Sequence, residues 1–364
     1  MRRRIIYVLA GIGLVTLPAL AGAQGSSQPG AAPSARVGAT IFYDYTFTNT
    51  PRSTDAEGSE FRGSAFEVKR AYINITGSLS PVVSFRVTPD VRRETGTGGS
   101  LDGSLTFRLK YAYAQFSLDQ WMRPGSRIRA GVIQTPYIEG QEGVYRYRFQ
   151  GTVFAERDGG QSSADAGVSF RTPLPDRYGD VQVGLYNGEG YSQADANGKV
   201  SVQVMASVRP FAASDGPAAG LRATAFYDHG YYVQNTKRRR FFANAMVEHA
   251  RLNAGVDVVV GSDQTRTFAP EVDSTGVSFF VTPFFQEKGR GFEGLLRYDR
   301  YSSDSGEADG TRTRVIVGGA YWFPNTGSAQ AALLVDFEQV TASGGLFASE
   351  RKQQRVALHG LINF

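Results

Sequence analysis

The stretch RVALHGLINF (355–364) decides how the rest of the chain reads. Successive residues of a strand point to opposite faces. Val356, Leu358, Gly360, Ile362 and Phe364 therefore share one face, and Arg355, Ala357, His359, Leu361 and Asn363 share the other. Terminal residues usually fray. This segment instead alternates up to an aromatic ring, as a final strand would if it had to pair with another and turn its apolar face outward.

Working outward, the same period-two pattern fills the chain. Residues 200–208 set Val200, Val202, Val204, Ala206 and Val208 against Ser201, Gln203, Met205 and Ser207. Residues 252–260 set Leu252, Ala254, Val256, Val258 and Val260 against Asn253, Gly255 and Asp257, and 329–337 set Ala329, Ala331, Leu333, Val335 and Phe337 against Gln330 and Asp336. About 16 such runs, each of about 9–14 residues, lie between 36 and 364. Helical periodicity is absent, and no stretch after residue 23 approaches the 18 apolar residues of a spanning helix.

The connectors also alternate. Short ones carry tight-turn chemistry (Ser80-Pro81, Arg123-Pro124-Gly125-Ser126, Pro173 to Asp176, Pro324 to Gly327), and longer polar ones lie between them (48–64, 93–102, 137–162, 189–197, 230–239, 262–273, 303–310, 342–349). Short turns at one end and long loops at the other describe a transmembrane antiparallel β-barrel. In lipid every backbone polar group must be paired, so the sheet must close. The expectation is an all-β barrel whose apolar face meets lipid and whose polar face lines a wet lumen, with Phe364 closing the last strand on the first. A secreted soluble β-protein is the alternative.

The first residues fit this compartment. Arg2 to Arg4 form a positive leader, Ile5 to Leu20 an apolar segment broken by Pro18, and Ala21-Gly22-Ala23 a small-x-small cleavage site. Residues 1–23 read as a signal peptide, 24–35 as a Gly/Ser/Pro-rich tether and 36–364 as the barrel. Cleavage would remove three arginines, taking the net charge from +5 to 5 − 3 = +2. No strong basic balance is left, so nucleic acid is not an implied partner. Cysteine is absent, which excludes disulfides and thiolate metal sites.

FEVKRAYINITGSLSPVVSFRVTPD (66–90), FRLKYAYAQFSL (107–118) and IRAGVIQTPYIEGQEGVYRYR (128–148) resemble the N-terminal third of the phosphate-selective porin family (the porin O and P type) of Gram-negative outer membranes. The resemblance implies a 16-stranded homotrimer in the outer membrane, an anion-biased lumen with an arginine ladder, and a third extracellular loop folded inward. The terminal Phe364 is similar to the tail by which the outer-membrane assembly machinery recognises such proteins. The family's constriction is lysine-rich, whereas no lysine lies between Lys110 and Lys199 here, so its phosphate site is not carried over.

With the apolar face on lipid, Arg70, Arg86, Arg108, Lys110, Arg127 and Arg129 fall on the lumen side of four consecutive strands, the candidate anion-selective stripe. Guanidinium forks hold phosphate or carboxylate bidentately and stay charged. Asp90, Asp165, Asp228, Glu248, Asp257, Glu293, Asp299, Asp336 and Glu338 also face inward and are expected to oppose the stripe; if they neutralise it, the pore is a general porin. The long connector 137–162 leaves two readings. Folded inside, it brings Arg146 and Arg148 to the constriction; left outside, its arginines meet lipopolysaccharide phosphates. Lys237 to Arg240 reads as an extracellular tip, either a lipopolysaccharide-binding patch or a funnel for small anions.

Other chemistry is sparse. His229, His249 and His359 have no metal spacing, and no serine can be assigned to a Ser–His pair, so neither a cofactor, a metal nor an enzyme is expected. Asp304, Glu307 and Asp309 read as a solvated loop rather than a calcium site. A structural or adhesive barrel with little conductance is the remaining alternative to a channel.

Overall fold

The structure is a computed structural model that describes residues 32–364, apart from 97, 307–309, 326 and 351. The expected signal peptide, most of the tether, and Glu307 and Asp309 lie outside the described residues. Sixteen strands form the barrel: β1 Ser34–Thr50, β2 Ser64–Ser78, β3 Val83–Arg93, β4 Leu105–Ser117, β5 Arg127–Gln134, β6 Ala164–Pro173, β7 Gly179–Tyr186, β8 Ser201–Val208, β9 Leu221–Gly230, β10 Arg238–Glu248, β11 Leu252–Asp263, β12 Val272–Pro283, β13 Gly291–Ser302, β14 Thr311–Trp322, β15 Gln330–Ser343 and β16 Gln353–Asn363. Each pairs antiparallel with its sequence neighbours, and β1 pairs with β16 to close the sheet. A small hairpin, Ser53–Thr54 with Glu60–Phe61, sits in the first long loop.

The closure answers the question that the last ten residues raise. Thr40 pairs with Asn363, and Ala39 and Phe364 exchange two backbone hydrogen bonds of 3.0 Å. A Cβ at Gly38 would collide with the Phe364 carbonyl, so a glycine there lets the chain end lie flat on β1. Strand β1 starts at Ser34, two positions earlier than the pattern indicates, because Ser34 pairs with Ser78.

Alternation holds on both faces. On β8, Ser201, Gln203, Met205 and Ser207 are buried while Val202, Val204, Ala206 and Val208 are exposed. The apolar side chains stand on the outside, as a lipid-facing surface requires. Two of the connections at the short-turn end, 118–126 and 209–220, are longer than tight turns.

Three register shifts break the ladder among the described residues: one between β1 and β16, at Thr48/Thr50, and two within the N-terminal wall that bear on the site. Between β1 and β2 the register steps from Phe42↔Arg70 to Tyr43↔Val68, skipping Lys69. Between β3 and β4 it steps from Thr88↔Tyr111 to Pro89↔Leu109, skipping Lys110. Pro89 has no N–H to donate to the ladder, and the bulge forms opposite it. An extra residue lets two neighbours share a face. Lys69 reaches Asp44 at 2.6 Å beside the inward Arg70, and Lys110 and Tyr111 are both buried on the lumen side.

Candidate functional site

The connector after β5 folds into the barrel, which resolves the two readings of its position. Thr135 precedes helix α1 (Pro136–Tyr145), with Pro136 in the first turn where a missing N–H costs nothing. The helix ends at Arg146 in the left-handed conformation (φ 64°), and its N–H bonds to the Glu142 carbonyl. The chain then runs through Phe149 to a short helix α2 (Phe154–Arg157) and back to β6.

Apolar packing and buried polar bonds hold this loop against the wall formed by β9 to β15. Tyr137 packs at a tilt against Phe226 (5.3 Å between centroids) and Phe242 (5.0 Å), Tyr145 meets Phe280 edge-on (5.2 Å), and Phe149 meets both Trp322 (6.0 Å) and Phe42 (6.4 Å). Tyr137, Tyr145, Tyr147 and Phe149 are each at most 2% exposed. The largest buried apolar cluster is therefore a loop packed on a barrel wall.

The inward acids complete the docking. Asp257 accepts from both Tyr137 and Gln141. Glu293 accepts from Tyr147 at 2.5 Å and pairs with Arg146 at 3.1 Å. Gln150 donates to Asp336 at 2.9 Å and to Glu338 at 3.1 Å, and Arg312 on β14 pairs with Asp158 at 2.5 Å. Asp299 pairs with Arg297, whose guanidinium also donates to the Thr152 carbonyl at 2.8 Å. Glu338 also pairs with Arg314 and Arg355. These acids do not stand free across the lumen as the sequence reading has them; the loop and the neighbouring arginines use them.

Arg146 and Arg148 are likewise engaged. Arg146 lies over Trp322, 4.5 Å from the ring centroid, beside Glu293. Arg148 pairs with Glu142 (2.7 Å) and Glu156 (3.3 Å). Burial opposes its charge, but Glu156 and Glu142 outweigh burial and hold the guanidinium above its ordinary range. In α2, Arg157 donates to Gln150 at 3.3 Å and has no carboxylate within ion-pair distance among the described residues. Burial, with Arg297 adding repulsion, lowers its pKa to about 10.

The six stripe cations share the opposite wall, β2 to β5, but they are not equivalent. Asp90, buried at the centre of the stripe, takes Arg70 at 2.8 Å and Arg108 at 2.9 Å, so it belongs to the stripe rather than opposing it. Arg108 also donates to Tyr191 of the next long loop at 2.6 Å. Arg129 pairs with Glu139 of α1 at 3.1 Å. Arg86, Lys110 and Arg127 form no ion pair among the described residues. Among the described residues, Arg86 bonds only to Thr88 (3.0 Å) and Asn74 (2.9 Å), and Lys110 only to the Tyr72 hydroxyl (3.4 Å).

Polar cavities lie along the lumen. One, of about 580 Å³, is lined by Lys69, Arg70, Arg92, Arg148, Arg314 and Arg355 with Glu67 and Glu338 among others. A second, of about 280 Å³, lies beneath α1 beside Arg127, Arg171 and Arg222, with Glu139, Asp180 and Glu248.

The basic run at the expected extracellular tip requires correction. Only Lys237 lies outside the strand. Strand β10 begins at Arg238, so alternation turns Arg238 toward Asp228 (3.3 Å) and buries Arg240 against Asp263 and the Gly159 carbonyl of the loop (3.2 Å). Arg239 points away from the lumen and pairs with Glu271. His359 is fully buried on the lumen side between Asp336 (3.2 Å) and Asp44 (3.5 Å). His229 stacks on Tyr227 and meets Tyr231 edge-on near the long-loop end of β9.

Several solved outer-membrane proteins share this architecture. The channel DcaP of Acinetobacter baumannii superposes with a TM-score of 0.61 at 9% identity, over 92% of this chain and 98% of that one. OmpF of Salmonella typhi, solved with daunomycin, gives 0.61 at 12% identity over 91% and 97%. In-vitro folded OmpT of Vibrio cholerae, described as a trimer form, gives 0.56 at 10% identity over 92% and 100%. No protein-family model and no curated protein sequence matches the chain. The closed barrel and its apolar outer band make the chain an outer-membrane β-barrel of the Gram-negative type.

Proposed function

We propose that the chain forms a water-filled diffusion channel for small hydrophilic solutes, biased to anions, with phosphate-like oxyanions among those it passes. The observation that carries this reading is the unequal use of charge on the two walls. Asp257, Glu293, Asp299, Asp336 and Glu338 are all bonded to the loop or to arginines. Arg86, Lys110 and Arg127 have no paired carboxylate among the described residues. Fixed cations in a narrow wet passage concentrate anions and act within about 8 Å at physiological salt. The assembly in this reading is a homotrimer, as in the trimeric form described for the OmpT neighbour. Its other partners are outer-membrane lipid, lipopolysaccharide and, through Phe364, the assembly machinery.

The test is a planar-bilayer recording in a KCl gradient. A reversal potential on the chloride side is expected, growing as salt is lowered. A cation-side or zero potential at low salt leaves a general porin, and a barrel with no conductance leaves a structural one.

A further inference from the structure

We propose that Tyr111 is a positioning residue of the channel, whose ring holds Arg86 and Lys110 together without neutralising them. The proposal rests on the anion-biased reading above and goes one step deeper, to what supports two like charges on one ring in the lumen.

The placement starts with Pro89. Because Pro89 cannot donate to the ladder, β4 bulges at Lys110, and Tyr111 joins Lys110 on the lumen side instead of facing lipid. The Arg86 guanidinium then lies 4.5 Å from the Tyr111 ring centroid, and the Lys110 ammonium lies 5.4 Å from it. Lys110 is 4% exposed beside the 7% exposed Tyr111 ring, so its charge cannot relax freely into bulk water, while Arg86 is half-buried. Lys110 also lies 4.9 Å from the Tyr72 ring. Facing these groups from the loop are Arg148 and Glu142, which act on Lys110 electrostatically from a distance.

Buried charges need a partner. The usual partner is a carboxylate, which is what Asp90 supplies to Arg70 and Arg108 and Glu139 to Arg129. A carboxylate also cancels the field. The face of a tyrosine ring attracts a cation through its quadrupole but carries no charge. Arg86 and Lys110 thus rest on a partner that does not itself neutralise them.

The test compares Tyr111→Phe, Tyr111→Leu and Lys110→Gln by reversal potential in a KCl gradient at low salt. Phenylalanine keeps the ring face and is expected to match the parent. Leucine keeps an apolar side chain but no π-face, and should lose roughly half or more of the anion preference that Lys110→Gln removes. Tyr111→Met serves the same purpose if the leucine variant does not insert. If Lys110→Gln shifts the potential while both apolar variants match the parent, the positioning role is overturned and the anion reading stands. A phenylalanine variant as impaired as the leucine one also overturns it, because the ring face is then not the cause. If Lys110→Gln changes nothing in an anion-selective parent, the positioning role fails and the anion reading stands on the other cations; a parent without anion preference fails both.

Discussion

The two walls of the lumen use their ionisable groups differently. On the wall from β9 to β15, Asp257, Glu293 and Asp336 are spent on the loop: each accepts from a buried side chain of residues 137–150. On the wall from β2 to β5, one acid serves two arginines, and Arg86 and Lys110 rest on neutral partners. A charge that holds structure is cancelled locally, whereas a charge supported by hydroxyls, amides and ring faces is left for solute. The net charge of a pore lining therefore says less about selectivity than which of its charges are paired.

The comparison breaks most completely if the loop is released from its wall. Asp257→Ala removes the acceptor of both Tyr137 and Gln141, leaving two buried donors at about 1–3 kcal/mol each. The expected result is a larger, noisier single-channel conductance and protease cleavage within 137–162, with the folded barrel still resisting detergent at room temperature. An unchanged conductance would mean that apolar packing alone holds the loop.

A smaller effect sharpens the contrast within the basic wall. Asp90→Asn frees both Arg70 and Arg108 from their shared carboxylate, so anion preference should rise, and rise more at low salt. A shift toward cations would show that Asp90 places the arginines rather than masking them. The smallest effect belongs to Lys237→Gln, an exposed loop position beyond β10. Its reversal potential should stay within error of the parent; a shift comparable to that of Asp90→Asn would move the selectivity filter out to the mouth.

Much of the barrel was legible in the sequence because a strand exposed to lipid on one face and water on the other must alternate. The runs at 291–302 and 311–323 match β13 and β14 to within one residue. Faces were legible for the same reason, and all six stripe cations sit on the lumen wall. Pairing was not, because it depends on register and on the loop. Nothing local to Asp90 tells that it lies between Arg70 and Arg108, nor that Asp257 is to meet residues more than a hundred positions earlier. The bulge at Lys110 had one visible signal, Pro89 inside an alternating run, and that signal also accounts for Tyr111, which alternation alone assigns to lipid. Arg238 and Arg240 were misplaced because four adjacent basic residues resemble a solvated tip, although strand parity turns two of them inward.

The most direct test of the central claim is the reversal potential of an Arg86→Gln, Lys110→Gln double variant against the parent, in the same KCl gradient at low and high salt. Both positions lack a paired carboxylate among the described residues, so the exchange removes charge without stranding an acid. The account predicts an anion-selective parent and a double variant whose potential moves well toward the cation side at low salt, with the difference shrinking as salt rises. A double variant that keeps the parent's potential at low salt would contradict it.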